Sequence, residues 1–374
     1  MLCYTGLECF RQRVVLSFTS CKRIEISSEK PFQPHHESIL SILSTISSGG
    51  KTKLSSLEAG QKLELTPGPI KGGNYIFKLP AYKEPFYYLE PLIFLAPISS
   101  GPFKVELKGI INKGEPNRWQ NLYSDPFVSS LSVYNKIYQL VGIVGSVKAT
   151  KNYSIIFECI PKRKFEPISY LSPSPISRIR GSIKVISISP AIAHLVANLI
   201  KTYFSRLSDN VWIVVDCHKR NEQRPQPFLG LSMIAENKCG VTFTVNRCIS
   251  PECGLGSIGE IEKIANPRSI DNNVSIKDLA EDMGISASNR LLSEIIIGGW
   301  VDSAHQHLLL FFMALGGDHK LGKLIVGNLT GYSVAFLRHL YDFLKVPFSI
   351  TPFENKFQVS CIGCNYTNIL YKID

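Results

Sequence analysis

The sequence predicts an α+β protein built from α/β repeats: a large domain of three helix-and-sheet units interrupted by a small α/β insert domain. Three observations support this class. The chain has 374 residues, which is more than one hydrophobic core usually serves. Strand-like and helix-like segments alternate along it. A block with a different pattern then separates the early segments from a last stretch in which the alternation returns.

The first part of the chain shows two rounds of this alternation. Residues 37–48 have the apolar spacing of an amphipathic helix that ends at Gly49 and Gly50. The apolar segment 13–18 fits either a strand or another buried element. The other predicted elements are strands at 62–65, 103–110 and 154–160, a turn at 66–69, and helices at 88–98 and 132–141.

The block from about residue 181 to residue 290 predicts a separate βαβββ unit. Its strongly apolar strand at 211–215 is followed by a basic polar loop at 217–227. The other predicted elements are strands at 183–188, 230–236 and 241–245, a helix at 192–204 and a loop at 251–273.

The last part of the chain repeats the early pattern once. It predicts helices at 287–297, 304–315 and 333–344, with strands at 323–326 and 348–361. The predicted limits are therefore 1–180 and 291–374 for the two parts of the large domain, and 181–290 for the insert domain.

Composition narrows the functional classes. Hydrophobic residues make up 44% and charged residues 19%, which excludes wholesale disorder. The formal net charge is +11 and the isoelectric point about 9.1. A basic surface attracts polyanions, of which nucleic acids are the most common inside cells. A modest excess of lysine that only aids solubility is the alternative.

Membrane, secretory and metal classes are not expected. The longest apolar stretch, 308–315, is about half of what a bilayer requires, and Arg11 and Arg13 interrupt the only early apolar segment. The ten cysteines include the pair Cys361 and Cys364, but a zinc site needs four ligands, usually in two such pairs. Reduced, structural thiols and an intracellular location are expected.

Several segments closely resemble the RNA 3′-terminal phosphate cyclase superfamily. They are Phe10-Arg-Gln-Arg-Val-Val-Leu-Ser, Ile179-Arg-Gly-Ser, Gly230-Leu-Ser-Met-Ile-Ala-Glu and Gly298-Gly-Trp-Val-Asp-Ser. The segment Leu329-Thr-Gly-Tyr-Ser-Val-Ala-Phe-Leu-Arg-His-Leu resembles its cyclase-like branch. The likeness runs in register from about residue 4 to residue 368. It implies three repeated α/β units and a small insert, which agrees with the pattern above.

The resemblance implies where a cyclase would hold its nucleophile. True cyclases adenylylate a histidine at the start of the last helix, and the matching position here is Tyr332. A phenol with an ordinary pKa of about 10 stays protonated at neutral pH and does not replace imidazole without a strong activator. His339 would lie about 10 Å further along the helix. His305 and His307 fit the polar edge of a buried helix better than a catalytic role.

Two phosphate-binding segments also depart from the family pattern. Thr5-Gly-Leu-Glu stands where cyclases carry a glycine-rich segment, and Glu8 adds negative charge there. A second glycine-rich signature is replaced at 147–153 by Val147-Lys-Ala-Thr-Lys-Asn-Tyr. The sequence therefore predicts that RNA 3′-phosphate cyclase activity, a cofactor and a small-molecule substrate are all absent.

The cyclase-like branch is associated with the small-subunit processome, and its members bind a large ribosome-assembly GTPase. The resemblance implies a nucleolar factor in 18S pre-rRNA processing, with the GTPase, pre-rRNA and processome components as partners. An endoribonuclease is the alternative. Its candidates are Asp318, His319 and Lys320 in one glycine-flanked loop, which suits proton transfer or RNA binding but equally a hairpin without chemistry.

Basic groups would make the RNA contacts, because phosphate oxygens dominate affinity. Each candidate cluster also fits an ordinary solvated face. No aromatic–basic stacking motif of a dedicated RNA module is present, so docking through protein partners is expected to matter more. The candidates are Lys162, Arg163, Lys164, Arg178, Arg180, Lys219, Arg220 and Arg224.

Overall fold

The computed structural model describes residues 1–57, 60–80, 83, 85–109, 128–150, 154–171, 175–218, 228–250, 254–257 and 276–371. These residues form eight α-helices and seventeen strands in four sheets. The predicted α+β class is confirmed. None of the helices in these ranges combines the length and the apolar character needed to cross a membrane.

The first unit has the order strand, helix, strand, helix, strand, strand. Its elements are β1 Leu2–Thr5, α1 Phe10–Ser20, β2 Ile24–Ser28, α2 Pro34–Ile46, β3 Lys51–Leu57 and β4 Gly60–Thr66. The sheet order is β1-β2-β4-β3, with β1 and β2 parallel and the other neighbours antiparallel.

The second unit repeats this order. Its elements are β5 Gly73–Leu79, α3 Pro85–Leu95, β6 Phe103–Gly109, α4 Val128–Leu140, β7 Gly145–Ala149 and β8 Ser154–Cys159. A short 3₁₀ turn, Ala96–Ile98, extends α3. The sheet order is β5-β6-β8-β7, again with only the first pair parallel.

A two-residue strand, β9 Ser169–Tyr170, precedes the insert. The insert consists of β10 Ile176–Ile186, α5 Pro190–Phe204, β11 Val211–His218, β12 Phe228–Asn237, β13 Thr242–Ser250, β14 Gly254–Ser257 and α6 Ile276–Ile297. Its sheet order is β11-β10-β12-β13-β14, with β11 at one edge. Both α5 and α6 pack against this sheet.

The third unit resumes after the insert. Its remaining elements are α7 Gln306–Leu315, β15 Leu321–Val326, α8 Gly331–Leu344, β16 Ser349–Phe353 and β17 Lys356–Ile362. The order β9-β15-β17-β16 matches the other two units, and β9 and β15 are parallel. Three repeated units with an insert between β9 and α7 are thus confirmed. The limits predicted at 180/181 and 290/291 lie within β10 and α6, and they remain a prediction.

Several sequence-predicted elements differ in the structure. The loop predicted at 251–273 contains the strand β14, Gly254–Ser257. The helix predicted at 287–297 in the last part of the chain is the end of α6, which packs against the insert sheet. Residues 13–18 lie in α1, so the buried alternative is confirmed and the strand alternative is wrong. Val14, Val15 and Leu16 are at most 1% exposed, because α1 packs against α3, α8 and the first sheet together. A helix covered on several sides loses the polar stripe that marks helical periodicity. The single strand predicted at 348–361 is the hairpin of β16 and β17.

The helices of the second and third units share an aromatic core. The ring of Phe94 in α3 lies 4.8 Å from that of Phe311 in α7 and 5.7 Å from that of Phe336 in α8. Every residue of α7 is buried, as expected for a helix that is apolar all round. This packing brings the start of α8 next to α3 and α7.

Candidate functional site

The first turn of α8 holds the residue that matches the cyclase histidine. Thr330 caps the helix, and its Oγ1 accepts the backbone N–H of Ser333 at 3.1 Å. Gln306 of α7 braces the same turn, because its Oε1 accepts a hydrogen bond from Ser333 Oγ at 3.0 Å. Tyr332 is thereby fixed, and its hydroxyl donates to Glu90 Oε1 of α3 at 2.9 Å.

Glu90 is a buried carboxylate that contacts polar side chains from three other helices. Arg11 of α1 forms an ion pair with Oε2, and His307 Nε2 of α7 lies 3.3 Å from Oε1. Burial alone would raise the pKa of Glu90, but Arg11 first and His307 and Tyr332 next lower this pKa to about 2. We call Arg11, Glu90, His307 and Tyr332 the Glu90 cluster. Its carboxylate is ionised and lies against the guanidinium of Arg11, the ring of His307 and the hydroxyl of Tyr332.

These surroundings decide the chemistry of Tyr332. Burial, and then the Glu90 carboxylate, raise the pKa of Tyr332 well above its ordinary value. A covalent nucleophile needs a base or a lowered pKa to release its proton. Glu90, with its pKa of about 2, is a weak base. The phenol is therefore held protonated, as a hydrogen-bond donor.

His339 is engaged through both ring nitrogens. Its Nδ1 lies 2.9 Å from Gln12 Oε1, so this nitrogen carries the proton. Its Nε2 accepts a hydrogen bond from Arg13 Nε at 3.4 Å. Burial, followed by the charge of Arg13, lowers the pKa of His339 to about 4. A neutral imidazole with no free nitrogen positions its neighbours rather than attacking a phosphate.

The segment that replaces the cyclase glycine-rich loop is a tight turn before α1. Gly6 has a φ of +77° and Cys9 a φ of +56°. Arg13 Nη1 donates to the carbonyl of Gly6 at 2.9 Å. A Cβ at Gly6 would lie 2.1 Å from Glu8 Oε2, so the Glu8 carboxylate lies over the turn. This negative charge stands near a helix N-terminus, where an anion would otherwise bind.

His305 belongs to a buried ion pair beside the insert. Its Nδ1 lies 2.6 Å from Asp302 Oδ1, while Asp302 Oδ2 accepts hydrogen bonds from Thr244 N at 3.1 Å and Thr244 Oγ1 at 2.8 Å. Burial opposes the charged form, but His305 lowers the pKa of Asp302, and Asp302 raises the pKa of His305. Because Thr244 is on β13, this pair ties the insert sheet to the third unit.

The nuclease candidates occupy an exposed turn between α7 and β15. Asp318 and His319 have φ values of +62° and +53°. All three side chains are exposed, and Lys320 Nζ is 4.0 Å from Asp318 Oδ2. Such a pair is weak in solvent. Across the described ranges, no group of three or more histidine, cysteine or carboxylate side chains is placed to hold a metal ion.

The basic residues predicted to contact RNA lie in separate parts of the structure. Lys162 Nζ donates to the carbonyl of Val141 at 3.1 Å, while Arg163 and Lys164 are exposed. Arg178 Nε lies 2.5 Å from Glu236 Oε2, and Arg180 is exposed on the same strand. Lys219, Arg220 and Arg224 lie outside the described residues, as does 151–153 of the altered loop.

A polar cleft between α4 and the insert was not predicted. It has a volume of about 420 Å³ and is lined by Lys136, Arg178, Glu236 and Lys238, with Gln139 and Ser177 beside them. Its three cations come from α4, from β10 and from the turn after β12. Spacing along the chain carries no signal for such a site, because these residues meet only when α4 packs against the insert sheet.

The chain is similar to known proteins over nearly its full length. The family model for RNA 3′-terminal phosphate cyclase matches residues 2–350. The RNA 3′-terminal phosphate cyclase-like proteins of Mus musculus and Homo sapiens are 27% and 26% identical, over 98% of this chain and 97% of each relative. The rRNA processing protein rcl1 of Schizosaccharomyces pombe is 24% identical, over 99% of this chain and 98% of that protein.

The family model covers all three repeated units up to the start of β16. This extent includes the insert and the whole Glu90 cluster. The family implied by the sequence motifs is confirmed: the chain belongs to the RNA 3′-terminal phosphate cyclase family.

Proposed function

We propose that this protein is a non-cyclising factor in pre-rRNA processing that acts on the small-subunit (18S) pathway. The observation that carries the proposal is the Glu90 cluster. Where a cyclase presents a histidine for adenylylation, the Tyr332 hydroxyl donates a hydrogen bond to a buried carboxylate at 2.9 Å. The remaining histidines near this position, His307 and His339, face the core.

The names of the relatives support the rRNA part of the proposal. One relative over the full length is an rRNA processing protein, and others are cyclase-like proteins. The net charge of +11 suits a protein that works against RNA. On this proposal the protein works in the nucleolus, bound to a large ribosome-assembly GTPase, with pre-rRNA and processome components as its other partners.

An adenylylation assay tests the loss of cyclase chemistry. The purified protein is incubated with ATP and Mg²⁺, and its intact mass is measured beside an active cyclase. No adduct is expected, because the imidazoles nearest the start of α8, His307 and His339, are only 6% and 7% exposed. An adduct of one adenylate would show that a residue in this chain acts as a nucleophile and would refute the proposal.

An experiment in cells tests the proposed role in 18S pre-rRNA processing. Cells depleted of the endogenous protein are complemented with the wild-type chain, and 18S precursors are measured by hybridisation. Precursors should accumulate on depletion and fall on complementation. A normal precursor pattern after depletion would exclude a role in this pathway.

The endoribonuclease alternative needs the exposed turn to be catalytic. A triple variant, Asp318→Ala with His319→Ala and Lys320→Ala, removes all three candidates without disturbing buried groups. An assembly factor should support precursor cleavage with this variant. Loss of cleavage in purified pre-rRNA, with partner binding retained, would establish the nuclease instead.

A further inference from the structure

The insert sheet has two faces with different surroundings. Ile179, Ile183 and Val185 of β10 are completely buried on the face that carries α5 and α6. On the opposite face, α4 covers the side of β12 and β13. The side of β10 and β11 extends beyond α4 and is open to solvent. There Trp212 is 67% and Val214 is 48% exposed.

Trp212 lies beside a free cation. In the parallel pairing of β10 and β11 its partner is Arg180, so the two side chains stand on one face about 4.8 Å apart at their backbones. Arg180 is exposed and makes no ion pair with a described carboxylate. No described ring stacks on the indole. Val214, two residues further along the same face, is also exposed, so the indole is part of an apolar patch rather than a single exposed residue.

Strand β10 continues from Arg180 into the cleft. Arg178 precedes Arg180 by two residues, on the same face and roughly 7 Å away. Arg178 lines the cleft with Lys136 and Lys238. These three cations face one carboxylate, Glu236, which already pairs with Arg178. The cleft therefore keeps a positive excess next to an exposed aromatic ring.

The other end of the open face differs in charge. Asp216 follows Trp212 by four residues on the same face, roughly 13 Å away, and its carboxylate lies 3.0 Å from His218 Nε2. Lys184 is the cross-strand neighbour of Asp216, so this end carries both signs of charge, and the positive excess of the face lies at the cleft end, beside the indole. A polyanion would enter from the cleft side and extend towards Trp212.

We propose that Trp212, Arg180 and the cationic cleft form a binding site for single-stranded RNA. One base stacks on the indole, while phosphates contact Arg180 and the cleft cations. Stacking requires a base whose π-face is free, which a duplex does not offer. The choice of RNA rests on the proposed function, whereas the stacking and charge arguments stand on the geometry. We call this site the Trp212 surface.

The first test measures stacking on the full-length protein. A fluorescein-labelled ten-nucleotide uridine strand is titrated and followed by anisotropy. Trp212→Ala should weaken binding by about 5- to 100-fold, the range expected for loss of one base–aromatic stack. Trp212→Phe keeps an aromatic face and should stay within about threefold. Tyr341→Ala removes a ring that is 53% exposed on α8 and is the matched control, with no change expected.

A direct spectroscopic signal accompanies this titration. Stacking of a base quenches indole emission, so RNA should lower the fluorescence of the protein that retains Trp212. The quenching should be lost in Trp212→Phe, although binding is retained. Of the other two tryptophans, Trp300 is 8% exposed and stacks on Tyr170 at 4.5 Å, so it does not report on this surface. Trp119 lies outside the described residues and is replaced by phenylalanine in every sample of this experiment.

The second test counts phosphate contacts. For single strands, log Kd changes with log salt by about 0.7 for each phosphate neutralised. Arg180→Ala and Lys238→Ala should each reduce this slope by about 0.7. Lys53→Ala, an exposed lysine on β3, should leave the slope unchanged. A duplex of the same length should bind at least about tenfold more weakly.

The results that overturn the proposal are specific. Equal affinity of the wild type and Trp212→Ala, equal binding of duplex and single strand, or no RNA binding at all would each refute it. So would a change of oligomeric state in Trp212→Ala with unchanged RNA affinity, since the face would then join two copies. An adenylate adduct would refute the proposed function while leaving this site intact, so the two failures are distinguishable.

Discussion

Two arginine–glutamate pairs in this protein use the same groups in opposite surroundings. In the pair of Arg11 and Glu90, the carboxylate side chain is 10% exposed and also meets His307 and Tyr332. In the pair of Arg178 and Glu236, the guanidinium is 39% exposed and opens onto a cleft with two further cations. A buried ion must have every contact satisfied, because desolvation is costly. An exposed pair leaves charge available for a ligand.

The two pairs differ in what they leave available for a ligand. The Glu90 cluster is buried, whereas the cleft at Arg178 is open to solvent. At the position that matches the cyclase nucleophile, Arg11 and Tyr332 both bond to a buried carboxylate. At the insert, three cations face one carboxylate. A reaction at Tyr332 would require breaking its hydrogen bond to Glu90. A ligand in the cleft at the insert would only have to displace water.

The largest expected effect comes from breaking the buried pair. Arg11→Met would leave the Glu90 carboxylate without its main cation, which costs about 3–5 kcal/mol for a buried pair. The transition midpoint should fall by roughly 4–6 °C in calorimetry. Lys104→Met is the matched control, since it breaks the exposed pair of Lys104 and Glu158 and should cost less than about 1 kcal/mol. Equal losses in both variants would contradict the structural role of the Glu90 cluster.

A pH effect of slightly smaller size is expected at His339. Its pKa is about 4 in the folded protein and about 6.5 when unfolded. Between these values the unfolded chain binds the proton first, so stability present above about pH 6.5 is lost as pH falls towards 4. The loss should reach about 3 kcal/mol.

The pH dependence can be assigned to His339 by substitution. His35 and His36 also have pKa values lowered to about 4, so the wild type alone does not separate the three. His339→Gln can still donate to Gln12 and accept from Arg13. Urea midpoints at pH 7.5 and pH 5 should differ less in this variant than in the wild type. The same difference in both proteins would contradict the assignment.

A smaller effect is expected from the phenol itself. Tyr332→Phe removes one hydrogen bond to Glu90 but leaves the ion pair with Arg11. The free energy of unfolding should therefore fall by about 1–3 kcal/mol. If Tyr332 is a structural donor, the folded variant should still support 18S precursor processing in depleted cells. Failure of processing with normal folding would give the hydroxyl a chemical role.

The repeated architecture was accessible from the sequence, because alternation of strands and helices is a local pattern. The Glu90 cluster was not, since the hydrogen bond between Tyr332 and Glu90 joins residues 242 positions apart along the chain. One signal was present: Glu90 stands in α3 among almost wholly apolar residues, and a carboxylate in such a helix must have partners. The sequence offered no reason to look for Arg11 among them.

Trp212 illustrates a different limit. The segment 211–215 is apolar throughout and predicts a strand, but it does not indicate which side chains are exposed. In the structure β11 is an edge strand, with Ile213 at 7% exposure and Trp212 at 67%. Arg180 is 32 positions earlier and becomes its neighbour only through strand pairing. An aromatic–basic pair formed across a sheet is invisible to a search for linear motifs.

The smallest effect should come from basic residues that have no aromatic neighbour. Arg163 and Lys164 are exposed near the C-terminal end of the chain, where Lys164 pairs with Thr367 in an isolated bridge. If charge alone held RNA, replacing both with alanine would weaken binding as much as the change at Trp212. If stacking and the cleft act together, the double variant should lower affinity less than about twofold in the anisotropy assay at 150 mM salt, where exposed charges are strongly screened. A loss comparable to that of Trp212→Ala would mean that the positive surface is used as a whole, and the contrast between the two arginine–glutamate pairs would then say nothing about where RNA binds.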